Sequence, residues 1–333
     1  MFFGEVALEM AAGAVLAHSE PVPGGRLRKG VILGAAEIAA LRGQGLTHVT
    51  VARMGPGDVA EDMAAAELAA ALVPDPVGQG VQPGTAFTGR VNLNAMGPGI
   101  VALDEAAIHR MNLVHPAITL ATLPPWQRVT AGTLVGTVKI IAYGVERAAL
   151  DRARDLARAA IRVMPVVLRE ASLVMTEAPG LDAKVAAKGR RAVEGRLRAL
   201  GMRLTGVESV PHEGAALTGA LRRAGGEMVL LLTGSATSDL MDTGPAAVRA
   251  AGGTVARFGM PVDPGNLLFH GRLGGRPVIG LPGCARSPAL NGADWVLERL
   301  ACGLAVTDAD IAAMGVGGLL KEIPLRPQLR EPT

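Results

Sequence analysis

With 333 residues the chain is long enough for two or three domains. Aromatics are 2% against 49% apolar overall, so its cores must be built from Ala, Val, Leu and Ile, and 44 glycines favour layered α/β packing. A net charge of +3, with no basic stripe interleaved with aromatics, gives no footing for nucleic-acid binding. The two cysteines, Cys284 and Cys302, stand outside any CxxC or Cys/His cluster. Neither a disulfide framework nor structural zinc is expected, and a reducing compartment is the simpler reading. The opening "MFFGEVALEM" lacks a basic n-region, and no apolar run approaches the ~20 residues of a membrane span. The expectation is a cytoplasmic protein without a membrane segment.

In chain order, "GGRLRKGVILGAAEIAALRGQGLTHVTVARM" predicts extended chain, a short helix and a strand, with Ile38, Leu41 and Leu46 on the apolar side. A helix follows in "GPGDVAEDMAAAELAAALVP", where Asp58 is placed to cap and Glu61 stands three residues on. Residues 74–84, "PDPVGQGVQPG", read as a Pro/Gly connector closing an N-terminal α+β segment, 1–84. Residues 85–145 read as a small β-rich domain, and "ERAALDRARDLARAA" as a charged helical connector over 146–164.

Beyond it, strands and helices alternate, the rhythm of a parallel sheet, over 165–305. The spacing predicts a helix near 184–200, with Val185, Gly189, Val193, Leu197 and Leu200 on one stripe, and another over 213–224. "EMVLLL" is a central strand, "GRLGGR" (271–276) a hairpin turn, and 291–302 a closing helix. Residues 306–333, rich in Gly and Pro, read as a tail or linker.

In an open parallel sheet, ligands gather beyond the carboxyl ends of the strands. Three loops fall there. In "TGSATSDLMDTGP", Thr233, Gly234, Ser235, Thr237 and Ser238 offer a tight exit and hydroxyl donors, and Pro245 suits a first helical turn. Asp239 and Asp242 would repel an anion; they suit a metal ion, an amine or acid–base work, or they cap the helix. "VDPG" supplies Asp263, Pro264 and Gly265 in a turn that is otherwise an ordinary connector. "LPGCARS" supplies Pro282 and Gly283, with Arg286 and Ser287 as an anion pocket, while Cys284 reads as a small buried filler. Lys184, Lys188 and Arg191 form a basic helix flank, more in keeping with a solvated face; His212 lines the cleft or makes a turn.

Three segments in order, "LLLTGSATSDLMD", "MPVDPGNLLFHGRLGGRPVIG" and "GLPGCARS", resemble the molybdopterin-binding domain of molybdopterin molybdotransferases and adenylyltransferases. The resemblance spans residues 165–305 and implies a three-layer α/β domain with a mostly parallel sheet. It further implies that molybdopterin, or its nucleotide-linked form, is held by the loop residues named above, with Asp242 and Asp239 acting on Mg²⁺ and molybdate. Ser235 and Asp239 depart from a pattern that usually has glycine at both positions, and His212-Glu213 stand where an acidic residue is usual. The stretch "GRLRKGVILGAAEIAALRGQGLTHVTVARM" is similar to the segment preceding this domain in a branch often fused to a C-terminal molybdenum-cofactor nucleotidyltransferase. That branch implies such a transferase as a partner, absent here naturally or by truncation, and a homo-oligomer. Three roles stay open: metal insertion, a non-catalytic carrier presenting the pterin, and hydrolysis of another nucleotide on the same fold.

Overall fold

The computed structural model describes residues 1–177 and 183–320. The chain forms two units, Met1–Gly97 with Val101–Met164, and Pro98–Ile100 with Pro165–Thr333. In the first unit, strand His48–Arg53 runs antiparallel between Phe2–Ala7 and Val15–Leu16. Helix Ala35–Gly43 buries Leu41 with Leu8, Leu16, Val49 and Val51, so β-branched residues line the strand while the helix meets them through leucine. A larger antiparallel sheet runs in the order Ile118–Thr122, Leu134–Ile140, Arg90–Ala95, Val81–Pro83. Ala64, Ala65, Leu68 and Leu72 of helix Glu61–Leu72 enter the same core as Leu150 and Ala153 of helix Arg147–Ala157. Alanine serves both ends here, favouring the helix and letting a neighbour approach closely.

Two local readings change. Asp58 does not cap the helix: it lies in strand Asp58–Ala60, and its carboxylate accepts from Gly55 N at 2.7 Å and pairs with the N-terminal ammonium at 2.8 Å. The helix therefore starts at Glu61, with Ala60 at its N-cap. The Pro/Gly connector contains a helical turn, Pro76–Gln79, begun by proline and capped by Asp75. Gln79 is buried and donates to Leu72 O at 3.0 Å and Ile161 O at 2.6 Å, which fastens the segment to its unit.

The second unit runs Glu170–Glu177 (β1), Ala183–Ala199 (α1), Arg203–Pro211 (β2), Gly214–Arg223 (α2) and Met228–Leu232 (β3). It continues with Thr243–Ala250 (α3), Thr254–Phe258 (β4), Phe269–Leu273 (β5), Arg276–Leu281 (β6), Gly292–Ala301 (α4) and Asp308–Ala313 (α5). Six strands form one sheet in the order β2-β1-β3-β6-β5-β4. The first four are mutually parallel; β5 is antiparallel to β6, and β4 to β5. β3, "MVLLL", is buried throughout, as a central parallel strand with both faces covered must be. Val193 and Leu197 of α1, Val296 and Leu297 of α4 and Ile311 of α5 share one core with the sheet. Leu217 and Leu221 of α2 and Val248 of α3 share another. The architecture is three-layered α/β, a mostly parallel sheet preceded by small antiparallel ones.

The β5–β6 turn is only Gly274-Gly275, both at positive φ (+56° and +79°), and the strands extend through Leu273 and from Arg276. The segment read as a linker packs over 308–320. Ile311 and Met314 are buried, and Asp263 N donates to Gly318 O while Leu320 N donates to Asp263 O, each at 2.8 Å. The rest of that tail lies outside the described residues. Among those described, no helix is long and apolar enough to cross a membrane.

His270 of β5 is buried, with no partner for Nε2 among the described residues. Burial pushes its pKa below the usual 6.5, against the raising effect of Asp308, and Arg257 adds to the depression. The unfolded chain thus binds this proton more tightly than the folded one. The stabilising contribution is complete above pH ~6.5 and is lost as the pH falls below it toward the depressed folded value. Urea titrations between about pH 7.5 and 5 should show that loss, and His270→Leu should flatten it; identical slopes in both proteins would refute the assignment.

Candidate functional site

The chain leaves β1 for α1, packed in one core, and leaves β3 for α3, packed in the other, although β1 and β3 are neighbours. Their carboxyl ends flank the reversal of strand order where open sheets bind ligands. β6 ends at the same edge, and β4, antiparallel to β5, does too.

One hydroxyl ties three strand ends together there. Thr176 Oγ1, buried at the end of β1, accepts from Gly234 N at 2.7 Å and lies 2.8 Å from Nδ1 of His212, just beyond β2. Gly234 follows β3. Thr233 Oγ1 donates to Ser235 O at 2.7 Å, bending the exit of the loop.

Arg286, in the short turn Gly283–Arg286 after β6, reaches back to the same loop: its Nη2 donates to Thr233 O at 2.7 Å. Its Nε is buried with no partner among the described residues, and burial pushes the guanidinium pKa down. Gly189 of α1 makes room for this side chain. A Cβ there would stand 2.9 Å from Leu232 Cδ2 and 3.1 Å from Arg286 Cγ.

The turn carrying Arg286 is held from behind by Arg196 of α1, only 8% exposed. Its Nε donates to Asp294 Oδ1 at 2.5 Å, Nη1 to Ala285 O at 2.8 Å, and Nη2 to Ser287 O and Ala289 O at 2.8 and 3.0 Å. Asp294 Oδ2 in turn accepts from Asn291 N at 2.8 Å, closing the capping box of α4. Ser287 thus contributes its carbonyl to this brace.

The "VDPG" loop docks on the same helix start. Gly292 N donates to Pro264 O at 2.8 Å, and a Cβ on Gly265 (φ +140°) would come within 2.6 Å of Gly292 N. Pro264 and Gly265 are buried while Asp263 is exposed, its backbone paired with Gly318 and Leu320. The three loops are therefore joined through Arg286 to Thr233 on one side. On the other, Asn291 Nδ2 lies 3.9 Å from Cys284 Sγ, next to Gly292. Pro282 is buried behind this turn and Gly283 exposed on it.

The aspartates behave differently. Asp242 is the N-cap of α3, with Oδ1 accepting from Thr243 N at 2.6 Å and Oδ2 from Ser238 N at 2.9 Å. Asp239 Oδ1 accepts from Met241 N at 2.7 Å. Thr237 is buried, whereas Ser235 and Ser238 are exposed. Among the described residues, no group of three His, Cys, Asp or Glu side chains could hold a metal. Replacing Asp242 with alanine should cost about 1 kcal/mol, the value of a lost cap. Urea denaturation measures it, and an unchanged midpoint would show that the cap contributes nothing.

Sequence reasoning passed over Thr176 and Arg196. Thr176 carried no signal beyond its place at the end of a strand. Arg196 did: it stands three residues after Val193 and one before Leu197, within the buried stripe of α1, where an arginine needs partners.

Fold and edge together define a three-layer α/β domain whose strand-order reversal lies at the carboxyl edge of its sheet. A family model described as "Domain of unknown function (DUF8806)" matches residues 5–53, in the first unit. No curated protein matches the chain. Among solved structures, a molybdopterin biosynthesis MoeA protein from Pyrococcus horikosii aligns over 91% of this chain and 75% of its own, at 12% identity and a TM-score of 0.32. A likeness at that level does not bear on function.

Proposed function

We propose that the second unit binds molybdopterin or its nucleotide-linked form at the carboxyl edge of β1, β3 and β6, and holds it for hand-over to a nucleotidyltransferase. The observation that carries this is the buried Arg286 Nε, which has no partner among the described residues. A half-buried guanidinium with an idle N–H is left short of an acceptor, and an anionic ligand supplies both the charge and the acceptor it lacks. The pterin's phosphate meets that need, with the 233–238 loop beside it. The choice of a pterin over another phosphate ester rests on the resemblance of the three loop sequences.

Mg²⁺, when bound, would neutralise charge on phosphate and molybdate. The residues present do not suit it: among those described, no third His, Cys, Asp or Glu joins Asp239 and Asp242, and both Asp242 oxygens already accept backbone amides. That bonding favours the carrier role over metal insertion. Accordingly, Arg286→Met should weaken pterin binding by roughly tenfold to a hundredfold, the loss of one charge-assisted hydrogen bond. Asp242→Ala should retain binding. Equilibrium titration monitored by pterin fluorescence reads both; unaltered affinity in Arg286→Met would remove the guanidinium from the site.

A further inference from the structure

The first unit carries its own polar cavity of about 240 Å³, lined by Lys29, Gly30, Glu61, Thr88, Lys139, Ile141 and Tyr143. Its size, below that of most drug-sized pockets, suits a small molecule. Tyr143 is committed, its hydroxyl donating to Ala17 O at 2.8 Å, and Lys139 Nζ donates to Thr88 O. The Glu61 carboxylate, the Lys29 ammonium and the Thr88 hydroxyl take no hydrogen-bond or ion-pair partner among the described residues.

The wall is built at some expense. Thr88 and Gly89 are the central pair of a two-residue turn closed by Phe87 N to Arg90 O and Arg90 N to Phe87 O, at 3.0 and 3.1 Å. Both have positive φ, +48° and +70°. Such turns favour Asn, Asp or Gly at the first position, and a β-branched residue there is strained. At the second position only glycine fits: a Cβ would lie 2.5 Å from Ile140 O and 2.8 Å from Glu61 Oε2. The turn is further pinned by Gly89 N donating to Asp62 Oδ1 at 2.6 Å. Glycine or asparagine in place of Thr88 would relieve the strain, but both would remove the one hydroxyl this turn brings to the cavity.

We infer that this cavity binds a small organic anion carrying a neighbouring hydroxyl, its oxyanion between Lys29 and Lys139 and its hydroxyl on Glu61. The lining itself carries two ammonium groups and one carboxylate, a positive balance that an anion matches. Burial raises the Glu61 pKa, and neighbouring Asp62 adds to it, against the lowering effect of Lys139 and Lys29, so a hydroxyl donor relieves a carboxylate that is short of water.

Calorimetric titration of the full chain with glycolate, glycerol 1-phosphate and acetate tests this. Glycolate or glycerol 1-phosphate should bind saturably at millimolar concentration, the preferred one showing whether the oxyanion is a carboxylate or a phosphate. Acetate, without the hydroxyl, should bind about tenfold more weakly. Lys29→Met, whose wild-type side chain has no partner to lose, and Lys139→Met should each cost about tenfold or more. Glu61→Gln should erase the advantage of glycolate over acetate. Thr88→Gly should raise the thermal midpoint while weakening binding, a pairing that a purely structural turn would not give. No saturable binding of either hydroxylated probe overturns the inference, as does binding that survives all three of the Lys29, Lys139 and Glu61 substitutions.

Discussion

Replacing Arg196 by alanine should cost about 3–5 kcal/mol of stability, the penalty for breaking a buried ion pair from one side. Asp294, 6% exposed, would be left as a charge in an apolar layer, and three carbonyls of the 285–289 segment would lose their donors. The effect also reaches the carboxyl edge of the sheet, because that segment carries Arg286 and Ser287. Removing both charges tests the cause: Arg196→Met with Asp294→Leu should recover much of the loss, since a well-packed apolar pair replaces a buried ion pair at little cost. Urea denaturation of the single and double variants decides it. A loss below about 1 kcal/mol in Arg196→Ala would mean that water reaches the network and that the brace is not buried in solution.

Gly280→Ala should be the next most damaging small change, at about 1–3 kcal/mol for overpacking. Gly280 of β6 faces Phe269 of β5 across the hairpin, and the fully buried ring lies over the glycine. A Cβ at that position would sit 1.9 Å from Cε1 and 2.3 Å from Cδ1. The ring has little room to retreat, because Gly244 at the start of α3 is shaped to it; a Cβ there would meet Cε1 at 3.2 Å. Combining Gly280→Ala with Phe269→Leu should cost less than the sum of the two single changes, since the smaller side chain vacates the space the methyl needs. Strict additivity would show that the ring and the glycine are not in conflict.

Much of the second unit was legible. "EMVLLL" announced a buried central strand because it is apolar on both faces and bounded by turn residues. The Gly189, Val193, Leu197 stripe announced α1, which runs over Ala183–Ala199. The three loops could be assigned to one edge because a parallel sheet sends all its carboxyl ends the same way. What escaped depends on distance in sequence. Arg196 meets Asp294 from 98 positions away, and Thr176 meets Gly234 from 58, and no local periodicity reports such partners. The 308–320 segment was misread because glycine-rich composition suggests a linker, whereas Ile311 and Met314 are enough to anchor it. Asp58 shows the reverse error: a sound capping pattern lost to a nearer acceptor demand, the Gly55 amide. Asp239 and Asp242 were open to two readings; Asp242 caps α3, as the plainer one had it, while Asp239 accepts from Met241 N within the loop and caps no helix.

The central claim is that the edge around Gly234 and Arg286 holds a pterin phosphate. The most direct measurement is to oxidise the protein as purified from a molybdenum-using host and quantify the fluorescent pterin released, with its nucleotide, from wild type and Arg286→Met side by side. The account predicts a near-stoichiometric pterin in the wild type and a large loss in the variant at equal folded concentration. Wild-type protein free of pterin that also fails to take up added molybdopterin, or equal loading in both proteins, would contradict it.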